Sequence, residues 1–215
     1  LHLMSKLGAK AEFVETHTVA IDASTLSMYE VDLLHGSKIR TSFMLFAPLL
    51  YRFGKAIIPN PGGCRLGARP IDRHIRLLEA FGVKITYDSS TGYYNAALES
   101  PRFKAATYTF EKKSHTGTEL GLMIAAIAEG HSEIRNAAQE PEVDDMIRFL
   151  NEAGAQIHRN GNDIIIEGVE KLKAIHPEFT IMCDRLNAAA FGVFAVATKG
   201  DIVVKGLEAQ YVTDF

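Results

Sequence analysis

Apolar and polar residues along this chain alternate between two periods, and the change of period recurs. Apolar residues three and four apart run up to a glycine, beyond which the pattern alternates every second residue. This occurs at Leu3-Met4-Ser5-Lys6-Leu7-Gly8-Ala9-Lys10-Ala11, at Leu77-Leu78-Glu79-Ala80-Phe81-Gly82-Val83-Lys84-Ile85 and at Phe149-Leu150-Asn151-Glu152-Ala153-Gly154-Ala155-Gln156-Ile157. The first period predicts an amphipathic helix and the second a half-buried strand. Glycine between them suits a left-handed helix end. These glycines lie 74 and 72 residues apart. A second helix–glycine–strand series interleaves with the first: Gly54 before residues 55–58, Gly130 before 131–134 and Gly200 before 201–204, spaced by 76 and 70 residues. Further strands are predicted at 19–22, 93–98 and 163–167. Units of this kind, with two helices laid on short strands, predict an α+β layer packing.

The repeat makes positions comparable. Arg40, Ser114 and Asp184 each fall at the start of a second-series helix, and Cys64 is the counterpart of Gln139-Glu140-Pro141-Glu142 in the loop after the following strand. Helix starts carry unpaired N–H groups and the positive end of the helix dipole, so several of them around one cleft would suit a diphosphate. The ordinary alternative is that Ser114 and Asp184 simply cap their helices. Residue 1 falls inside a unit, and Phe215 falls where another first-series helix is due. The chain therefore reads as a piece of a longer repeating protein.

Composition excludes more than it selects. With 47% hydrophobic and 23% charged residues, the chain is expected to be a soluble globular protein. A net charge of −3 offers no basic surface for nucleic acid or an acidic membrane. The apolar stretch at 186–198 is shorter than the roughly 20 residues that span a bilayer, and the first residues lack a signal-peptide pattern. Two distant cysteines, Cys64 and Cys183, make no disulfide framework, so a reduced, cytoplasmic setting is expected. The eight histidines are scattered without metal-ligand spacing, and no P-loop or dinucleotide fingerprint occurs, so neither a metal nor a cofactor is expected. Nothing in the sequence sets an oligomeric state.

The chemistry concentrates in Pro61-Gly62-Gly63-Cys64-Arg65-Leu66-Gly67-Ala68-Arg69-Pro70. Three glycines and two prolines make this a shaped loop. It carries one thiol with guanidiniums one and five residues later, a pattern for a reactive cysteine beside an anion site. A small buried cysteine is the ordinary alternative. A Cys–His hydrolase using His74 lacks a third group to orient the histidine.

This loop, continued through Asp72, resembles the Gly-Gly-Cys-x-x-Gly-Ala-Arg-Pro-x-Asp pattern of the UDP-N-acetylglucosamine 1-carboxyvinyltransferases, a group within the enolpyruvyl transferase family. The likeness extends over nearly the whole chain, through Ile39-Arg40-Thr41-Ser42, residues 47–56, Glu129-Gly130, residues 136–142 and Cys183-Asp184-Arg185. It implies repeated βαβαββ-like units in a two-domain inside-out α/β barrel, incomplete at both ends, with residues 1–137 as the cysteine-loop domain and 138–215 as part of the second. The activity implied is transfer of enolpyruvate from phosphoenolpyruvate to the 3-hydroxyl of UDP-N-acetylglucosamine in peptidoglycan precursor synthesis, with these two substrates and no nucleic-acid or membrane partner. The catalytic roles implied are Cys64 as general acid and covalent participant, Asp184 as the acidic group near the sugar 3-hydroxyl and general base, and Arg69, with Arg40, as an anion holder. Arg69, Pro70, Ile71, Asp72 and Arg73 map onto uracil-side contacts, Lys112, Lys113, Ser114 and His115 onto a segment that touches the uridine diphosphate, and Leu207 onto an apolar nucleotide contact. Three segments depart from the family pattern. Ser-Val-Gly-Ala-Thr is here Ser114-His115-Thr116-Gly117-Thr118, Arg-Glu-Pro-Glu is Gln139-Glu140-Pro141-Glu142, and Leu186-Asn187-Ala188-Ala189-Ala190-Phe191 replaces Ile-Glu-(Thr/Ala)-Gly-Thr-Phe. The alternatives are a non-catalytic paralogue that binds a nucleotide sugar and a relative that acts on shikimate 3-phosphate; the latter group lacks the Gly-Gly-Cys loop.

Overall fold

Two full βαβαββ units follow one another in the computed structural model, which describes residues 1–63, 67 and 70–211. Helix α1 (His2–Lys6) leads into a hairpin of β1 (Lys10–Glu15) and β2 (Thr18–Asp22). After the short α2 (Leu33–Gly36), a 3-10 turn over Arg40–Leu45 runs directly into α3 (Phe46–Phe53). The unit continues through β3 (Lys55–Pro59), α4 (Asp72–Ala80), β4 (Val83–Asp88) and β5 (Tyr93–Leu98). The next unit comprises β6 (Thr107–Thr109), α5 (His115–Ala125), β7 (His131–Arg135), α6 (Pro141–Glu152), β8 (Gln156–Asn160) and β9 (Asp163–Glu167). Helix α7 (Arg185–Thr198) and a 3-10 turn at Ala209–Tyr211 come last.

The two units share one topology. In the first, β5 lies between β3 and β4, all antiparallel, and Glu30 bridges Ile57 in parallel on the free side of β3. In the second, the order is β6-β7-β9-β8, with β6 parallel to β7 and the other pairs antiparallel. The predicted first-series glycines, and Gly54 and Gly130 of the second, have positive φ, the conformation in which a chain turns from helix to strand and a Cβ is disfavoured.

The helices lie inside and the sheets outside. Helix α5 is the centre: Gly117, Thr118, Leu120, Gly121, Leu122, Ile124 and Ala125 are buried, and it packs on α3, α4 and α6. That explains why its residues are apolar on nearly every side, whereas α4 and α6 each keep an exposed polar face. The outer faces of β4 and β8 remain open, as their alternating burial shows. Among the described residues, no helix is long and apolar enough to cross a membrane.

One expectation needs correction. The strand predicted after Gly200 does not form, and the left-handed position that ends α7 is taken by Lys199, at φ 53°. In both complete units the strand at this point is flanked by the terminal strand of its own hairpin; residues 201–205 have no such partner among the described residues, and an isolated strand leaves its backbone groups unpaired. The division expected at 137/138 falls within one sheet, since β7 pairs with β9 across it, and within a single buried core that runs from Leu7 to Ile166. We propose that the division falls instead after Glu167, where the sheet ends.

Candidate functional site

Arg40 opens the 3-10 turn before α3, and this places it against the cysteine loop. Its guanidinium donates to the Pro70 carbonyl at 3.4 Å, and a Cβ on Gly63 would lie 3.1 Å from the Arg40 Cβ. Arg40 therefore touches the loop on both sides of its thiol-bearing segment. The cation also lies 5.5 Å from the centre of the Phe43 ring, one turn further on. Phe43 is fully buried and meets the His74 ring at 4.4 Å.

His74 connects this region to α5. It sits in the first turn of α4, where Ile71 is buried as the N-cap residue and Asp72 stays exposed at the positive helix end. Its Nε2 shares a 3.0 Å hydrogen bond with Thr116 Oγ1 in the first turn of α5. Its Nδ1 is buried, with no hydrogen-bond partner within normal geometry among the described residues. Burial first, and then the nearby Arg40 charge, push the His74 pKa down to about 4, so the ring is neutral at physiological pH.

The α5 start is tied down from several sides. Ser114 caps it, accepting from the Gly117 N–H at 3.2 Å. Thr118 Oγ1 donates to the Ser114 carbonyl at 2.9 Å and accepts from the Ala138 N–H at 3.0 Å. Thr118 is fully buried, so Thr118→Val should strand the Ala138 N–H and cost about 1–3 kcal/mol in urea unfolding; an unchanged midpoint would refute this. Lys113 Nζ donates to Gln139 Oε1 at 2.5 Å and to Asn162 Oδ1 at 3.4 Å. His115 Nε2 pairs with Glu119 at 3.3 Å, and the hydrogen bond to Glu119 holds its pKa above the ordinary histidine value.

The α6 and α7 starts join the same network. Arg185, in the first turn of α7, donates from Nε and Nη2 to the two oxygens of Glu142, at 2.9 and 3.2 Å, in the first turn of α6. Burial is the largest influence on Glu142 and opposes its ionisation, but the Arg185 hydrogen bonds, a backbone N–H and the Arg185 and His115 charges together keep the carboxyl below its usual value. Asp184 caps α7, accepting from the Asn187 N–H at 3.0 Å and the Asn187 amide at 2.7 Å.

The starts of α3, α4, α5, α6 and α7 are thus linked through Arg40, His74, Thr116, Gln139, Glu142 and Arg185. Of the residues singled out in the sequence, Arg40, Pro70, Ile71, Asp72, Arg73, Lys112, Lys113, Ser114 and His115 lie at these starts. Arg73 is half-buried, its carbonyl accepting from Tyr108 Oη at 3.2 Å, whereas Lys112 is exposed. Leu207 is not with them: it lines an apolar depression with Ala188, Gly192 and Val196 of α7. Asp184 adjoins Arg185 in the chain, and both its oxygens serve the cap. Cys64 and Arg69 lie outside the described residues. Sequence reasoning missed the linking roles of His74 and Thr116; their one signal was a threonine where the family pattern has glycine.

This fold and these helix starts define a class. The chain belongs to the EPSP synthase (3-phosphoshikimate 1-carboxyvinyltransferase) family, which matches residues 1–214, a family of enolpyruvyl-transferring enzymes. Among its relatives are proteins described as UDP-N-acetylglucosamine 1-carboxyvinyltransferase. The one from Wolbachia sp. subsp. Brugia malayi (strain TRS) is 40% identical over 96% of this chain and 50% of its own length. The one from Desulfosudis oleivorans (strain DSM 6200 / JCM 39069 / Hxd3) is 40% identical over 98% and 49%. The chain thus spans about half the length of the curated relatives it matches. The enolpyruvyl transferase NikO from Streptomyces tendae shares the fold with a TM-score of 0.72 at 19% identity, over 88% of this chain and 44% of that one. EPSP synthase from Acinetobacter baumannii aligns with a TM-score of 0.58 at 18% identity, over 81% of this chain and 39% of that one.

Proposed function

We propose that this chain carries the cysteine-loop and nucleotide-binding part of an enzyme that transfers enolpyruvate from phosphoenolpyruvate to the 3-hydroxyl of UDP-N-acetylglucosamine, with release of phosphate, in peptidoglycan precursor synthesis. The observation that carries this reading is the placement of Arg40 against both flanks of the Gly62-Gly63-Cys64 loop, with His74 linking that loop's helix to the α5 start. Enolpyruvyl transfer requires a proton delivered to the phosphoenolpyruvate methylene, a hydroxyl that loses its proton as it attacks C2, and support for the charge that develops there. In this reading Cys64 delivers the proton, and Arg69 and Arg40 hold anionic groups through their paired donors. An anionic substrate beside Cys64 favours the protonated thiol and so loads the acid on binding. Lys113, Ser114 and His115 face the diphosphate, and residues 70–73 face the uracil side. Asp184 near the sugar hydroxyl would have to exchange its Asn187 bonds to act as a base; capping is the role its geometry supports.

Calorimetric titration with UDP-N-acetylglucosamine tests the reading. Arg69→Ala should weaken binding about tenfold or more through loss of a charge-assisted contact, whereas Cys64→Ala should retain it. Tighter binding of shikimate 3-phosphate than of the nucleotide sugar, or binding of neither, would overturn it.

A further inference from the structure

We propose that His115 is a specificity-determining residue of the diphosphate subsite: an imidazolium that donates to a phosphoryl oxygen and makes nucleotide-sugar binding proton-linked. The inference rests on the nucleotide-sugar reading above and assigns that subsite a donor which the family pattern, with an apolar residue at this position, does not contain.

His115 is the first residue of α5, and its ring is half-exposed. Glu119, one turn on, holds Nε2 and so fixes the ring, leaving Nδ1 with no partner among the described residues. A protonated ring therefore has one N–H spent on Glu119 and one to offer. The helix supplies further donors beside it. Ser114 Oγ and Ser114 O take the N–H groups of Gly117 and Thr118, and those of His115 and Thr116 have no protein acceptor among the described residues. A second observation on the same turn comes from His74. It is only 5% exposed, and its Nε2 is engaged by Thr116. His74 thereby anchors the second residue of this turn from α4, so the N–H groups of His115 and Thr116 are held in place.

The surrounding charges set the direction of the effect. Glu119 faces His115 from its own helix, and Glu140 and Glu142 face it from the loop before α6 and from α6 itself. Lys113 lies two residues back, held by Gln139 and Asn162; Arg185 reaches in from α7 and is paired with Glu142; and α4 contributes the neutral His74 through Thr116. With His115 neutral, three carboxylates face two cations; with His115 protonated, the set is balanced and no longer repels a dianionic diphosphate. The Glu119 hydrogen bond and the other two carboxylates favour the protonated ring, so the titration lies above the ordinary histidine range. Binding draws one proton from solvent onto the imidazole when the free ring is neutral; no bond of the ligand breaks.

The test is calorimetric titration of the chain with UDP-N-acetylglucosamine, whose diphosphate diester keeps a constant charge, at about pH 6 and about pH 8.5. The expected dissociation constant is about tenfold larger at the higher pH, and the heat at that pH should vary with the ionisation enthalpy of the buffer, reporting proton uptake. His115→Gln should bind weakly at both pH values without proton uptake. His115→Lys, permanently charged, should bind at both, and Glu119→Gln should move the transition to lower pH. Binding by the unsubstituted chain that is independent of pH and buffer overturns the role of His115 alone. So does full pH-dependent binding by His115→Gln. Absence of nucleotide-sugar binding at either pH overturns the underlying reading and the inference with it.

Discussion

Gly62→Ala should lower stability by about 1–3 kcal/mol, the cost of overpacking a closed site, and abolish nucleotide-sugar binding by the chain. A Cβ on Gly62 would stand 1.7 Å from the Ser37 carbonyl oxygen and 2.8 Å from its carbon. Neither is the end of a flexible side chain. Ser37 ends α2, and its hydroxyl donates to the Leu33 carbonyl at 2.6 Å, so the backbone there resists displacement. The loop must move instead, and with it Gly63, which rests on Arg40. The predicted damage therefore reaches Arg40 and the following Cys64 together. Gly192→Ala in α7 is the control: its Cβ would meet nothing within 4 Å, and alanine is favoured in a helix interior by about 0.5–1 kcal/mol. Urea midpoints and calorimetry on both variants decide the matter; a Gly62→Ala chain with unchanged midpoint and affinity would show that the close approach to Ser37 is unimportant.

Acidification should destabilise the fold through His74. Its folded pKa of about 4 lies below the ordinary value of 6.5, so the folded state binds fewer protons than the unfolded state. The stability associated with His74 is complete above about pH 6.5 and is lost as pH falls towards 4; the size is about 2–3 kcal/mol between pH 7 and 4.5. Protonation there would place a buried charge beside Phe43 and Arg40, a cost that the Ile71 backbone and the Asp72 carboxylate offset only in part. Urea midpoints at the two pH values, compared with those of His74→Gln, isolate this contribution. The variant should lose less stability on acidification, and equal losses would contradict the assignment. Because His74 joins α4 to α5, the same acid titration should loosen the link between the cysteine loop's helix and the proposed diphosphate subsite.

Much of this architecture was legible in local sequence. Gly8, Gly82 and Gly154 mark helix ends because a left-handed residue is required at each, and the strands at 93–98 and 163–167 announce themselves by β-branched and aromatic residues between turns. Ser114 and Asp184 were readable as caps because capping involves residues only three positions away. The Gly-Gly-Cys pattern is equally local, since its glycines, thiol and guanidiniums are adjacent in the chain, and its chemistry belongs to the proposed function.

What remained hidden depends on residues distant in sequence. His74 and Thr116 are 42 positions apart, Glu142 and Arg185 are 43, and Lys113 and Gln139 are 26. No local propensity pairs them; only the stacking of successive units around α5 brings their helix starts together. The strand expected after Gly200 failed for the same reason in reverse, since its local pattern was adequate but a strand needs a neighbouring ladder. Sequence by itself determined the repeat and the helix ends at Gly8, Gly54, Gly82, Gly130 and Gly154, because those follow from backbone conformation and adjacent side chains. Tertiary structure alone decided that Arg40 lies against that loop, that His74 is buried and neutral, and that Leu207 faces α7, because burial and long-range hydrogen bonds exist only once the units are packed.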